Sequence, residues 1–250
     1  MEIINKKVAL ITGAAGGLGI ALANVLAAEG YQLIVTSRDT KRLSDQYASE
    51  HLQITADCST VMGAKYIFEV ASAHHLTPTA FAHCVGNIRL GALHRMSETD
   101  FDMCMQANLF SAFHTLAAFI ANLKSAKLSG SAVLVSSAAA QIGTPNHEAI
   151  ATAKSGLEGL VRGAAATYAS SGIRINAVSP GLLDTPAANS LLSSHLSREL
   201  AARQYPIAGI GNPVDVAQLM AWLLSDYAAR VTGQIWAIDG GFTSIRPIVK

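Results

Sequence analysis

Val8-Ala9-Leu10-Ile11-Thr12-Gly13-Ala14-Ala15-Gly16-Gly17-Leu18-Gly19 is an unbroken apolar run that turns through glycines and continues as an apolar helical pattern from Ile20 to Ala28. A strand without polar alternation is expected where helices cover both faces of a parallel sheet. The glycines let backbone N–H groups approach a ligand closely, and the following helix offers partial positive charge at its N-terminus. Strand, glycine loop and helix in that order suit a dinucleotide pyrophosphate; glycines serving only a tight turn are the plainer alternative.

Outward from this stretch, short β-rich runs recur at Gln32 to Thr36, Leu52 to Thr55, Ala80 to Cys84, Ala132 to Ser136, Arg174 to Val178 and Gln234 to Ile238. Longer segments of helical periodicity lie between them. The alternation predicts an α/β, doubly wound fold of the Rossmann type, a seven-stranded parallel β-sheet with helices on both faces. Helix starts are marked by Ser97-Glu98-Thr99-Asp100, which resembles a capping box, and by Thr144-Pro145 and Asn212-Pro213, each a cap followed by proline.

The chain has 250 residues, half of them hydrophobic and 14% charged, with no linker-like break, so residues 1–250 read as one domain. A formal charge of +1 offers no field for nucleic acid. No unbroken apolar segment approaches bilayer length, and Met1 to Leu10 lack a signal-peptide pattern, so neither membrane insertion nor export is expected. Cys58, Cys84 and Cys104 have neither disulfide-scaffold nor zinc spacing; free thiols in the cytoplasm, and no metal, are expected.

The second strand ends in Thr36-Ser37-Arg38, with no carboxylate where an acid would grip a ribose 2′-hydroxyl. Arg38 could pair with a 2′-phosphate, which favours NADP over NAD, or could simply be solvated beside Lys41 and Arg42. Asp57, past the third strand, either meets the adenine or caps the helix that begins near Thr60.

With these residues in place, the chain resembles the short-chain dehydrogenase/reductase family along nearly its whole length. The family's Thr-Gly-x-x-x-Gly-x-Gly falls on Thr12, Gly13, Gly17 and Gly19, with Leu18 inside it. Its Asn-Asn-Ala-Gly becomes His83-Cys84-Val85-Gly86, which keeps only Gly86. Asn108, Ser137 and Lys154 match the helix-four asparagine, the active-site serine and the active-site lysine; Pro180, Gly181 and Thr185 match Pro-Gly-x-x-x-Thr, and Asp239 to Phe242 the C-terminal signature. By resemblance, Lys154 holds the nicotinamide ribose, Ser137 steadies the substrate oxygen, Asn108 holds a proton-relay water, and Pro180 to Thr185 close over the nicotinamide. The resemblance also implies a homo-oligomer, tetramer or dimer, built on the helices that carry Asn108 and Lys154. The plainer readings are a surface lysine, a strand-end cap and a helix-bending asparagine.

One catalytic group is missing. Ile150 stands four positions before Lys154, where the family has tyrosine. Carbonyl reduction needs a proton on the developing alkoxide, and isoleucine has none to give. His147 lies seven residues before Lys154, about 10 Å along the same side of a helix. The enoyl-thioester reductase branch of the family spaces its tyrosine that way, and Pro145-Asn146-His147 is similar to it locally. If Thr144 caps the helix, His147 falls in its first turn, where a neutral imidazole could donate a hydrogen bond to a carbonyl oxygen. Two readings follow. One is an NADP(H)-dependent oxidoreductase of a small, largely apolar carbonyl, alcohol or activated alkene, with His147 or a Ser137-held water replacing the phenol. The other is a dinucleotide-binding homologue without catalysis, serving as a sensor or assembly subunit; a purely structural oligomer would in addition need a vestigial cofactor site. The loop after Gly86, the Gln141 to Gly143 turn and the segment from Leu182 to Tyr205 are expected to line the pocket.

Overall fold

The computed structural model describes residues 7–47 and 49–246. The expectation that Met1 to Leu10 carries no export signal therefore falls in part, at residues 1–6, outside the described residues. The apolar runs form strands β1 (Val8–Thr12), β2 (Gln32–Ser37), β3 (Leu52–Thr55), β4 (Ala80–His83), β5 (Gly130–Val135), β6 (Ile173–Pro180) and β7 (Ile235–Ile238). They make one seven-stranded sheet in the order β3-β2-β1-β4-β5-β6-β7, every neighbouring pair parallel. The intervening helices are α1 (Gly17–Ala28), α2 (Thr40–Gln46), α3 (Val61–Ala73), α4 (Glu98–Met105), α5 (Ser111–Ala126), α6 (Glu148–Tyr168), α7 (His195–Ala202) and α8 (Pro213–Leu224).

Continuous apolarity in the strands is explained by two cores. Successive side chains point to opposite faces of a sheet. Ala9, Ile11, Leu33, Val35 and Val133 therefore pack with α1 and α8, while Leu10, Ile34, Ala132 and Leu134 pack with α3, α5 and α6. The chain reverses its direction of travel across the sheet between β3 and β4, so β1 and β4 become neighbours with their C-terminal ends side by side. Such a switch point opens a crevice above the strand ends.

Helix starts follow the sequence in two places and depart from it in a third. Asn212 accepts a hydrogen bond from Val214 N–H with Pro213 at the first helical position. Ser97 Oγ accepts from Asp100 N–H, but the Asp100 carboxylate turns to Ser97 Oγ and Arg89 instead of returning to the Ser97 backbone. Thr144 does not cap α6. Pro145 and Asn146 form a turn with Asn146 in the left-handed region (φ 64°), and the helix begins at Glu148 with His147 in the capping position.

One helix is longer and more apolar than the unbroken apolar runs of the sequence suggest. From Glu98 to Ala126 the chain is continuously helical, through a π turn at Gln106–Phe110, and is long and apolar enough to cross a membrane. Its buried side chains, among them Leu116, Phe119 and Leu123, pack in the core beneath β4 and β5, which is why its hydropathy is high.

Candidate active site

The crevice between β1 and β4 is closed by glycine. Gly13 has φ 70°, and a Cβ there would lie 2.8 Å from the Cys84 carbonyl carbon, so the first loop and the loop after β4 touch backbone to backbone. A Cβ on Gly19 would collide with the Gly13 carbonyl oxygen, and one on Gly17 would meet Thr185 at 2.9 Å. The glycine turn thus folds tightly onto itself and onto the segment after β6. No side chain caps α1 at Gly16, which leaves that helix N-terminus available to an anion. Leu18 is buried in the core beneath the turn, so only its backbone can serve a ligand.

Thr12 departs from expectation as a ligand-facing residue. It is fully buried, and its hydroxyl lies 2.8 Å from His83 Nδ1. On the far side of that ring, His83 Nε2 is 3.0 Å from Ser111 Oγ, which donates to the Ala107 carbonyl at 2.8 Å. The Ser111 proton is thereby committed, so Nε2 carries the imidazole proton and Nδ1 accepts from Thr12. Burial pushes the His83 imidazole down to about 3, so the ring is neutral. A hydrogen-bonded chain runs from the glycine loop through His83 to the π turn.

That π turn carries Asn108. Its Oδ1 accepts from Asn87 N–H (3.3 Å), and its Nδ2 donates to the Cys104 and Asn87 carbonyls (3.0 and 3.2 Å) and to Asn87 Oδ1 (2.9 Å). Its amide is therefore committed to the loop after β4. A Cβ on Gly86 would lie 2.7 Å from Asn108 Oδ1 and 3.5 Å from Lys154 Nζ, so glycine is needed where that loop passes the lysine.

Lys154 is buried and not a surface residue. Nζ donates to the Val135 carbonyl at 2.7 Å, which leaves two N–H groups for the cleft. Burial holds its ammonium down to about 8, against an opposing influence of the Cys104 and Cys84 thiols. One turn earlier, Ile150 packs with Cys104 and Ala149 and shows its remaining surface to the cleft. Ser137 caps a short 3-10 turn by accepting from Ala139 N–H at 3.2 Å, so its own hydroxyl proton stays available.

Asn108, Ser137, His147, Ile150 and Lys154 line one cleft of about 490 Å³ together with Gly86, Pro180, Gly181 and Thr185. Its walls include Ile88, Leu90 and the stretch from Leu182 to Tyr205, as expected, but Gln141, Ile142 and Gly143 are not among them; Thr144 takes their place. Gln141 turns inward to Glu158, which also accepts from Ser136 Oγ at 2.8 Å. Arg38 and Asp57 lie away from this cleft, past the ends of β2 and β3. Arg38 is exposed, and Asp57 Oδ1 accepts from Ser59 N–H and Oγ while Thr60, not Asp57, caps α3. Its neighbour Arg42 reaches the Ala15 carbonyl at 2.7 Å. Among the described residues no cluster of three metal-ligating side chains occurs.

Two features escaped the sequence. Tyr205 brings a phenol into the cleft, but its oxygen accepts from Leu182 N–H at 2.7 Å and its ring packs on Gly181 and Phe242; burial raises its pKa. His147 has a different hydrogen-bonding polarity from that expected. Its Nδ1 lies 2.8 Å from the Pro145 carbonyl, a pure acceptor, so Nδ1 carries the proton and a neutral ring presents a lone pair at Nε2. Neutral His147 cannot donate to a carbonyl oxygen through that atom.

The chain is similar to known proteins over nearly its whole length. Residues 13–243 match a family model described as enoyl-(acyl carrier protein) reductase. The chain is 32% identical to a cis-4-hydroxycyclohexanecarboxylate dehydrogenase of Sinomonas cyclohexanicum, covering 98% of this chain and 99% of that protein. It is also 32% identical to a cyclohexanol dehydrogenase of Acinetobacter sp. (strain SE19), covering 96% of each. Among solved structures, ElxO with NADP bound superposes with a TM-score of 0.88 at 25% identity, covering 96% of this chain and all of that one (100%). Levodione reductase gives 0.89 at 28%, covering 96% and 98%. Likeness over essentially full length, in sequence and in fold, settles the assignment: the chain belongs to the short-chain dehydrogenase/reductase family of NAD(P)-dependent oxidoreductases.

Proposed function

We propose that the protein interconverts a small, largely apolar ketone and its alcohol with NADP(H), using His147 in place of the missing tyrosine. The observation that carries this reading is the convergence of Ser137, Lys154 and His147 on one apolar cleft at the sheet's switch point. The glycine loop fits a dinucleotide because its crowded turn excludes side chains and the α1 N-terminus is uncapped. Arg38, exposed at the end of β2, suits a 2′-phosphate, since the carboxylate of the neighbouring Asp39 is turned to the Arg42 N–H at the start of α2. The NADP in the ElxO structure supports the same choice. A bound NADP(H) would supply hydride chemistry at the carbonyl carbon.

The chain's own residues supply the rest. The two free Lys154 N–H groups point at the cleft and suit ribose hydroxyls. The Ser137 hydroxyl donates to the substrate oxygen. His147 works through Nε2: its lone pair takes the hydroxyl proton during alcohol oxidation, and its protonated form returns that proton during reduction. The relatives named for cyclohexanol and hydroxycyclohexanecarboxylate support an alicyclic ketone such as cyclohexanone as the first substrate to try. Subunits are proposed to self-associate through the exposed faces of α5 and α6.

NADPH oxidation with cyclohexanone tests the assignment. His147→Ala is expected to lower kcat by about a hundredfold or more with NADPH affinity kept, and Ser137→Ala to lower it as well. Unchanged turnover in both variants refutes the two roles. NADPH binding without hydride transfer to any ketone, in the wild-type protein, would favour the sensor or assembly reading.

A further inference from the structure

With Ile150 on the cleft wall, that position offers no hydrogen bond to a substrate oxygen. Asn87, which follows the glycine that passes Lys154, lines the same cleft. Its orientation follows from three backbone groups. Asn108 Oδ1 is identified as oxygen because it faces the Asn87 N–H, and Asn108 Nδ2 as nitrogen because it faces the Cys104 and Asn87 carbonyls. A fixed donor at Asn108 Nδ2 requires an acceptor opposite it, so the Asn87 atom at 2.9 Å is the oxygen. The other end of the Asn87 amide is then a nitrogen, and it has no hydrogen-bond partner among the described residues. Nor is it a buried orphan; it has access to open space.

We propose that Asn87 Nδ2 donates a hydrogen bond to the reacting oxygen of the substrate, so that Asn87 selects ligands with an acceptor oxygen and steadies the negative charge that builds there. This rests on the ketone reading above. Asparagine does not protonate the oxygen; it holds it, and the proton still comes from His147. A pocket with a fixed donor discriminates against an isostere that leaves the donor unpaired. Asn87 differs in this from Asn108, whose amide is committed within the protein.

Asn87→Asp isolates the donor. The aspartate keeps an oxygen for Asn108 Nδ2 and replaces the N–H groups with a second oxygen. Cyclohexanone and methylenecyclohexane, which has a methylene carbon in place of the oxygen, can be competed by ligand-observed NMR against the wild-type protein saturated with NADP⁺. The wild type is expected to prefer the ketone by about tenfold, and Asn87→Asp to reduce that preference severalfold, to what the Ser137 hydroxyl alone supports, while NADP⁺ affinity and Tm stay near wild type. Asn87→Ala, which also removes the donor, is expected to reduce the preference by the same factor, so a poorly folded Asp variant does not decide the matter. A wild type that binds both probes equally, or variants that keep the ketone preference undiminished, overturn the role of Asn87 and leave the ketone reading intact. Failure of cyclohexanone to bind the wild-type complex at all, with methylenecyclohexane also excluded, overturns both.

Discussion

The Lys154 ammonium is buried beside the loop after β4, with the Val135 carbonyl as its hydrogen-bond acceptor. Burial lowers its pKa from the ordinary 10.5 to about 8, so the charged form is less stable in the folded protein than in the unfolded chain. The penalty is on the order of 3 kcal/mol by the size of that shift. The sign fixes a pH window. Below about pH 8 both states are protonated and the penalty is fully present; between about 8 and 10.5 the folded protein has released a proton that the unfolded chain retains, so stability rises with pH. Lys154→Met, similar in length and uncharged, is expected to melt at a higher temperature than wild type at neutral pH. That advantage should shrink as the buffer is taken from pH 8 toward 10.5, while NADPH binding is lost. Equal melting temperatures at neutral pH would show that the Val135 bond offsets the burial. A residue retained against such a penalty is one that a ligand relieves, since ribose hydroxyls would give its free N–H groups partners.

At the scale of elements, His83 ties β1 and β4 to the π turn. It takes the place of the first asparagine in the family's Asn-Asn-Ala-Gly, and its ring reaches both Thr12 on one side and Ser111 on the other. The folded ring stays neutral down to about pH 3, whereas the unfolded histidine takes up a proton near 6.5. The unfolded state therefore binds more protons between those values, and this contribution to stability is lost as pH falls through that window. His83→Leu is expected to cost about 2 kcal/mol at neutral pH by removing the acceptor nearest the Thr12 hydroxyl and the donor to Ser111 Oγ. It should also flatten the loss of stability between pH 6.5 and 4, read from urea midpoints at each pH. A variant that keeps the wild-type slope would place the acid sensitivity elsewhere. The sheet was legible in the sequence because buried parallel strands are apolar at every position, as in Val8 to Ile11. The start of α6 was not, since Thr144-Pro145 reads as a helix cap and the same residues also suit the turn that precedes Asn146. Nor could spacing reveal that His147 points Nδ1 at Pro145, or that Asn87 meets Asn108, because both depend on local backbone geometry and on contacts between loops distant in sequence.

At the scale of the whole molecule, the outer faces of α5 and α6 are poorly explained by a single chain. Phe110 and Phe113 are 40% and 48% exposed, with His114 packed between them. On α6, Gly159 and Gly163 are exposed and have open space where a side chain would stand. Glycine in the interior of a helix costs up to about 1 kcal/mol relative to alanine, and nothing in the subunit requires it at these positions. The self-association proposed above would account for both the flat helix and the exposed rings. Opposite effects on subunit and assembly separate this from a chance surface. Gly159→Arg removes a helix-weakening residue and has open space at its Cβ on an exposed face, so an isolated subunit should be as stable as wild type or slightly more so. If α6 packs on a partner, the same arginine blocks the contact, and Phe113→Glu does so by placing a charge in it. Light scattering coupled to size exclusion is expected to show a dimer or tetramer for the wild type and smaller species for both variants. A wild-type monomer, or variants that keep the wild-type mass, would leave these faces without the proposed contact and the helix glycines without a role.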